Sequence, residues 1–173
     1  MRSDGMEADV LVTVQGALAE RPGVLPAARG LSAFGEHALG WMGIAAVGAG
    51  VDAPRRGQWL RVGAAAVVSH AASIAIKRVV RRKRPHDPRI RVGVSTPSKL
   101  SFPSSHATST AATAVAVSRL TGRRSPLLVV PVMMVSRMVL GVHYPTDVAT
   151  GAALGAAIGA AAMKAAGEEG RSA

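Results

Sequence analysis

An integral membrane bundle, all-α, with about five transmembrane helices and an amphipathic helix ahead of them, is the fold this sequence predicts. Three observations predict it. Apolar stretches of near-membrane length recur through a chain of only 173 residues, which has room for one domain and hardly for two. Aromatic residues make up 3% of a chain that is 49% hydrophobic, so the apolar content is mostly Ala, Val and Gly. Small side chains bury little area in a soluble core, but they let helices approach closely in lipid. The formal charge of +11 calls for an anionic partner: lipid headgroups, a phosphorylated substrate or nucleic acid.

Residues 7–20 set Leu11, Val14 and Leu18 on one helical face, which predicts a short amphipathic helix on the membrane surface or against the bundle. Arg21-Pro-Gly ends it. No secretory signal is expected, because acidic Asp4, Glu7 and Asp9 stand where one would be basic. Membrane-length segments follow at about 32–51, 59–80, 103–119, 125–142 and 146–164, with a polar tail at 165–173. The 1–31 stretch, the core and the tail read as one membrane-embedded domain. The longest connection is the basic, proline-containing stretch that ends at Phe102. Charge-free runs at 62–76, 100–118 and 148–163 fall short of the roughly 20 residues of a comfortable span, so a soluble Ala-rich bundle is the competing reading. Gly151, Gly155 and Gly159 favour the membrane, since they form a four-residue stripe for close packing. No strand is expected. The absence of cysteine excludes disulfides and thiolate metal sites.

The chemistry-bearing residues fall at helix ends. The second segment closes on Lys77-Arg-Val-Val-Arg-Arg-Lys-Arg84-Pro85, where Lys77 and Arg84 would share a face of a continuing helix with Arg81 between them. Such a run also serves as an anchor to anionic lipid. The third opens with Pro103-Ser104-Ser105-His106, whose free backbone N–H groups would make an anion site beside a histidine; an ordinary Ser cap is the alternative. The fourth ends in Ser136-Arg137. An arginine inside an apolar segment needs an anion, or a bridge to Asp147 or Glu36. His143 then precedes a helix that Pro145 can open, and Asp147 in its first turn would accept a hydrogen bond from the ring. A neutral histidine beside a capping aspartate reads the same way without chemistry.

Short-linked helices run antiparallel, so the end of the second, start of the third, end of the fourth and start of the fifth share one membrane side. Lys77, Arg84, Ser104, His106, Arg137, His143 and Asp147 therefore gather at one end, an arrangement suited to phosphoryl transfer. No second carboxylate accompanies Asp147 in these motifs, so neither a metal nor another cofactor is expected. His70, Glu36, His37 and His86 stay outside the catalytic set.

These motifs resemble the type 2 phosphatidic acid phosphatase superfamily, whose pattern is Lys-x6-Arg-Pro, Pro-Ser-Gly-His and Ser-Arg-x5-His-x3-Asp. Order and internal spacings agree over the second to fifth segments, with Ser105 in place of Gly. The resemblance implies that His143 attacks phosphorus to form a phosphohistidine while Asp147 holds its ring. It implies that His106 protonates the leaving oxygen and then activates water. Lys77, Arg84 and Arg137 would bind the phosphate oxygens with Ser104 and the Ser105 backbone. The wording around the motifs, such as Thr-Pro-Ser-Lys-Leu-Ser-Phe-Pro-Ser-Ser-His and Gly-Val-His-Tyr-Pro-Thr-Asp-Val, is closer to one group within the superfamily. Its members remove the 5-phosphate from a decaprenyl-linked phosphoribose in arabinan and arabinogalactan synthesis. The expected partners are a polyprenyl-linked phosphosugar or another anionic lipid, and the bilayer. Polyprenyl diphosphate or phosphatidate are the alternative substrates, and a non-catalytic basic protein that binds anionic lipid is the alternative class. Nucleic acid is not expected, because the basic run lacks interleaved aromatics. The basic residues lean the active end towards the cytoplasmic face of a multi-pass cell-membrane protein.

Overall fold

Apolar runs separated by proline, glycine and charge fold into seven α-helices in a computed structural model that describes residues 2–169, with side chains from 5 to 164. They are α1 (Arg2–Leu18), α2 (Val24–Gly35), α3 (Leu39–Val51), α4 (Arg56–Val80), α5 (Ser105–Thr121), α6 (Val129–Val139) and α7 (Pro145–Glu169). The fold is all-helical. Among the described residues the one strand-like pairing is an antiparallel bridge between Lys83 and Leu100. The expected tail begins instead as the last turn of α7, and residues 170–173 lie outside the described residues.

The central helix is α5, buried along most of its length between α4 and α7. The glycine stripe of α7 explains how close the two can lie. A Cβ at Gly151 would stand 2.7 Å from the Ser104 carbonyl oxygen, and at Gly155 it would run into Thr108. On the outside, Val47, Val51, Leu60, Val68 and Val132 are exposed, as lipid-facing side chains are. Among the described residues two helical stretches, Ala53–Val80 and Pro145–Lys164, are long and apolar enough to cross a bilayer; α3, α5 and α6 are shorter.

Three further expectations change. The first segment is not one helix over 32–51: the chain breaks at Glu36–Ala38, with His37 at φ 49° and Ala38 at φ 60°. Polar Glu36 and His37 leave the helical path there, and α2 turns away from α3. The fourth segment begins as a 3-10 turn at Ser125–Leu128 and stops at Val139. Gly141 makes the turn that follows at φ 68°, where a Cβ would meet the Arg91 carbonyl at 2.5 Å. Finally, α4 does not continue to Arg84. It ends at Val80 with Arg81 in the left-handed region, exposed, so helical phase is not what unites Lys77 and Arg84.

The amphipathic α1 packs on the bundle rather than standing apart. Ala8 and Leu11 are buried with Ile90 and Tyr144, while Val14 and Leu18 pack near Val139, Leu140 and Val142. Buried Gln15 donates to the Arg91 and Val139 carbonyls at 2.7 and 2.9 Å, tying α1 to the long loop and to α6.

Candidate active site

The end of α4, the starts of α5 and α7, and the end of α6 converge with the α2–α3 break around a cavity of about 320 Å³. Lys77, Arg84, Ser105, His106, Arg137 and His143 line it, together with Glu36, His37 and His70. Asp147 and Ser104 stand behind that wall.

Arg84 arrives by a folded-back loop. Ser101 N–H donates to the Arg82 carbonyl at 2.8 Å and Ser101 Oγ to that of Lys83 at 2.9 Å, flanking the Lys83–Leu100 bridge. Arg84 Nε then donates to the Ser98 carbonyl at 2.8 Å, and one terminal nitrogen reaches the Val142 carbonyl at 2.8 Å and His143 Nε2 at 3.1 Å. A guanidinium can only donate, so His143 Nε2 presents its lone pair and the ring proton sits on Nδ1. Burial, then Arg84, Arg137 and Lys77, hold the His143 pKa well below its ordinary value, so the imidazole is neutral.

The expected His143–Asp147 hydrogen bond is not formed. Nδ1 stands 3.7 Å from Asp147 Oδ2, beyond hydrogen-bond reach, and has no hydrogen-bond partner, while that oxygen accepts from the Tyr144 N–H at 2.8 Å. Asp147 faces Nδ1 electrostatically and fixes the turn that carries the ring. Its other oxygen accepts from Arg82 at 3.0 Å.

His106 Nε2 lies 2.9 Å from the Ser32 carbonyl oxygen, which can only accept; the Nδ1 of a neutral His106 therefore carries the lone pair. Arg137 is 1% exposed, donates to Ser32 Oγ at 2.6 Å and leaves Nε unpartnered. Neither of its suggested bridges, to Asp147 or Glu36, forms. Lys77 Nζ spends its donors on the carbonyls of Leu100 (3.4 Å), Ser101 (2.9 Å) and Pro103 (2.5 Å), clamping the loop over α5. The Ser104 N–H is not free, as it donates to the Asp147 carbonyl at 2.9 Å, and its buried hydroxyl caps α5 at Ala107 N. Ser105 Oγ lies at 2.7 Å from Ser73 Oγ.

Four contributors escape motif reading: Ser32, Ser73, Arg82 and Glu7. Only Arg82 left a signal, as one more cation in the basic run. His86 is exposed and absent from the cavity wall.

Fold and motif order together define a class. The family model of the PAP2 superfamily matches residues 58–171, and the chain belongs to that superfamily. Among characterised relatives, the decaprenylphosphoryl-5-phosphoribose phosphatase of Mycolicibacterium smegmatis is 61% identical over 142 residues, covering 82% of this chain and 79% of the relative. The protein of the same name from Mycobacterium tuberculosis is 56% identical over 145 residues, 84% and 82% of the two chains. Two solved structures share the fold. Aquifex aeolicus LpxE superposes with a TM-score of 0.76 at 18% identity, covering 91% of this chain and 94% of its own. The transmembrane PAP2-type phosphatidylglycerolphosphate phosphatase of Bacillus subtilis gives 0.70 at 20% identity, covering 93% and 86%.

Proposed function

We propose that this protein is a membrane lipid phosphatase that removes the 5-phosphate from decaprenylphosphoryl-5-phosphoribose through a phosphohistidine. The observation that carries the reading is His143 Nε2, a neutral, buried lone pair in a cavity walled by Lys77, Arg84 and Arg137. The substrate follows from relatives of that name at 56–61% identity.

In this reading His143 Nε2 attacks phosphorus as the ester P–O bond breaks. The cations neutralise the equatorial oxygens, and the unpartnered Arg137 Nε supplies one donor. Protonated His106, its Nε2–H held by Ser32, gives the Nδ1 proton to the leaving ribose oxygen. It then takes a proton from water, whose oxygen bonds to phosphorus as the P–N bond breaks. Lys77 exchanges backbone carbonyls for phosphate as substrate enters, and Ser104 and Ser105 set the floor. Glu36, His37 and His70 in the same lining suit hydroxyl groups, which a ribose carries and a diacylglycerol phosphate does not. Exposed Arg78, which lines the cavity, suits the second phosphate of such a lipid.

The test is turnover by purified protein in detergent, with EDTA present, on polyprenyl phosphoribose beside phosphatidate and polyprenyl diphosphate. Phosphate release fastest from the phosphoribosyl lipid, unchanged by chelator, is expected. Preference for either other lipid overturns the substrate, and loss of rate restored by magnesium overturns the side-chain electrostatics.

The single domain resides in the cell membrane with this mouth towards the cytoplasm. Ser95 in the mouth loop and Ser125 at the opposite end are both exposed. With Ser95→Cys in this cysteine-free chain, a membrane-impermeant thiol reagent added to intact cells should leave it unlabelled while it labels Ser125→Cys. The opposite pattern reverses the orientation.

A further inference from the structure

The residues matched by the family model begin at 58, so α1 lies outside them. None of its described side chains lines the cavity. Glu7 on α1 is nevertheless three contacts from the proposed nucleophile, through Arg82 and Asp147. Its Oε1 accepts from the Thr146 N–H at 2.9 Å and from Thr146 Oγ1 at 2.6 Å, in the first turn of α7. Its Oε2 pairs with one terminal nitrogen of Arg82. The other terminal nitrogen of Arg82 reaches Thr146 Oγ1 at 2.7 Å and Asp147 Oδ1 at 3.0 Å, and the guanidinium lies over the Tyr144 ring, 4.3 Å from its centroid.

We propose that Glu7 and Arg82 are positioning residues: α1, through Arg82, holds Asp147 in place behind His143. This rests on the reading of His143 as nucleophile.

The physical argument concerns a buried charge. Asp147 is wholly buried, and a carboxylate without water needs a donor on each oxygen. Tyr144 N–H serves one oxygen and Arg82 the other. Arg82 comes from a loop and is part-exposed, with solvent available as a competitor for its fork. Glu7 removes that freedom by engaging the outer nitrogen and, at the same time, the N-terminus of α7, where a negative charge is favoured. His143 Nδ1 stands 3.7 Å from Asp147 Oδ2, so a small shift of that carboxylate changes the orientation of the attacking nitrogen. No proton passes along the chain of contacts. Burial raises the Glu7 pKa, but the hydrogen bonds from Thr146 and Arg82 outweigh it and hold the carboxyl below its ordinary range, ionised as the pairing needs.

The experiment is steady-state kinetics of full-length Glu7→Ala, Arg82→Ala and the double variant, on the lipid phosphate the wild type turns over fastest. Rates are taken per folded enzyme, with Tm measured alongside. Each single variant should lose roughly ten- to a hundredfold in kcat, the scale of a misplaced catalytic group, with KM within about twofold. The double variant should be no worse than Arg82→Ala, because both act through one contact. Glu20→Ala, in the turn just after α1 and paired with exposed Arg91, should match the wild type. A lowered Tm with unchanged kcat in the folded fraction overturns the proposal. So do losses that multiply in the double variant, or an equal loss in Glu20→Ala. If His143→Ala keeps its activity, the nucleophile assignment falls instead.

Discussion

The α5–α7 seam and the cavity mouth lie next to each other, sharing Ser104 and Asp147, yet they are built on opposite principles. At the seam, glycines of one helix face the backbone of Thr108 and Ala112 on the other, with dispersion and close fit as the cohesive force. At the mouth, buried polar side chains are held by hydrogen bonds: Lys77 to loop carbonyls, Arg137 to Ser32 Oγ, His143 to Arg84, and Asp147 to the Tyr144 N–H and Arg82. The seam is a support that tolerates no added volume. The mouth is a charge assembly that tolerates no lost partner. A fold that places rigid close packing directly beneath a costly cluster of cations can keep that cluster organised for an anion.

The sharpest break of this contrast is His143→Ala. Removing the attacking nitrogen should lower kcat by several orders of magnitude while the seam keeps the bundle folded. Circular dichroism and size-exclusion profiles like those of the wild type, with no detectable phosphate release, are expected. A variant that retains a tenth of wild-type activity ends the phosphohistidine assignment.

The seam is probed by a methyl group. A Cβ at Gly155 would lie 3.0 Å from Ala112 N and closer still to the Thr108 backbone, whereas at Gly50 on α3 it would meet nothing within 4 Å. Gly155→Ala should cost about 1–3 kcal/mol by overpacking. Gly50→Ala should gain roughly 0.5–1 kcal/mol from helix propensity. Neither should alter kcat/KM of the folded fraction. A Gly155→Ala variant of unchanged Tm would mean that the helices are not held at this distance.

The same division explains what was legible in the sequence. The seam declares itself locally, through Gly151, Gly155 and Gly159 at helical spacing, and the motif residues declare themselves through fixed intervals. Most of their setting is not local. Glu7 meets Thr146 across 139 positions, and Ser32 meets Arg137 across 105, so no periodicity announces either contact. The loop that returns Arg84 replaces the helical phase by which Lys77 and Arg84 were expected to align. The break at Glu36–Ala38 was hidden because its flanks are equally apolar, and only two polar residues mark it. Spacing sets His143 beside Asp147, but it reveals neither the 3.7 Å that separates Nδ1 from the carboxylate nor the Tyr144 N–H that the same oxygen accepts.

The smallest effect separates the two regions by pH. His143 is neutral in the folded protein because burial and the cations around it depress its pKa far below 6.5. In the unfolded chain the same ring takes up a proton near its ordinary value. Below about pH 6.5 the unfolded state therefore binds one proton more than the folded state, which by linkage lowers stability as pH falls. The contribution of this ring is fully kept above 6.5 and declines towards its depressed pKa, by at most about 1.4 kcal/mol per pH unit. Gly155→Ala carries no titrating group, so its Tm deficit against wild type should be the same at neutral and mildly acid pH. His143→Ala should instead have a shallower acid slope than wild type, narrowing or reversing any deficit as pH falls. Thermal unfolding of the three proteins in one detergent across that range measures this directly. Parallel Tm curves for His143→Ala and wild type would mean that His143 carries its proton in the folded mouth, and the neutral-nucleophile geometry would have to be abandoned.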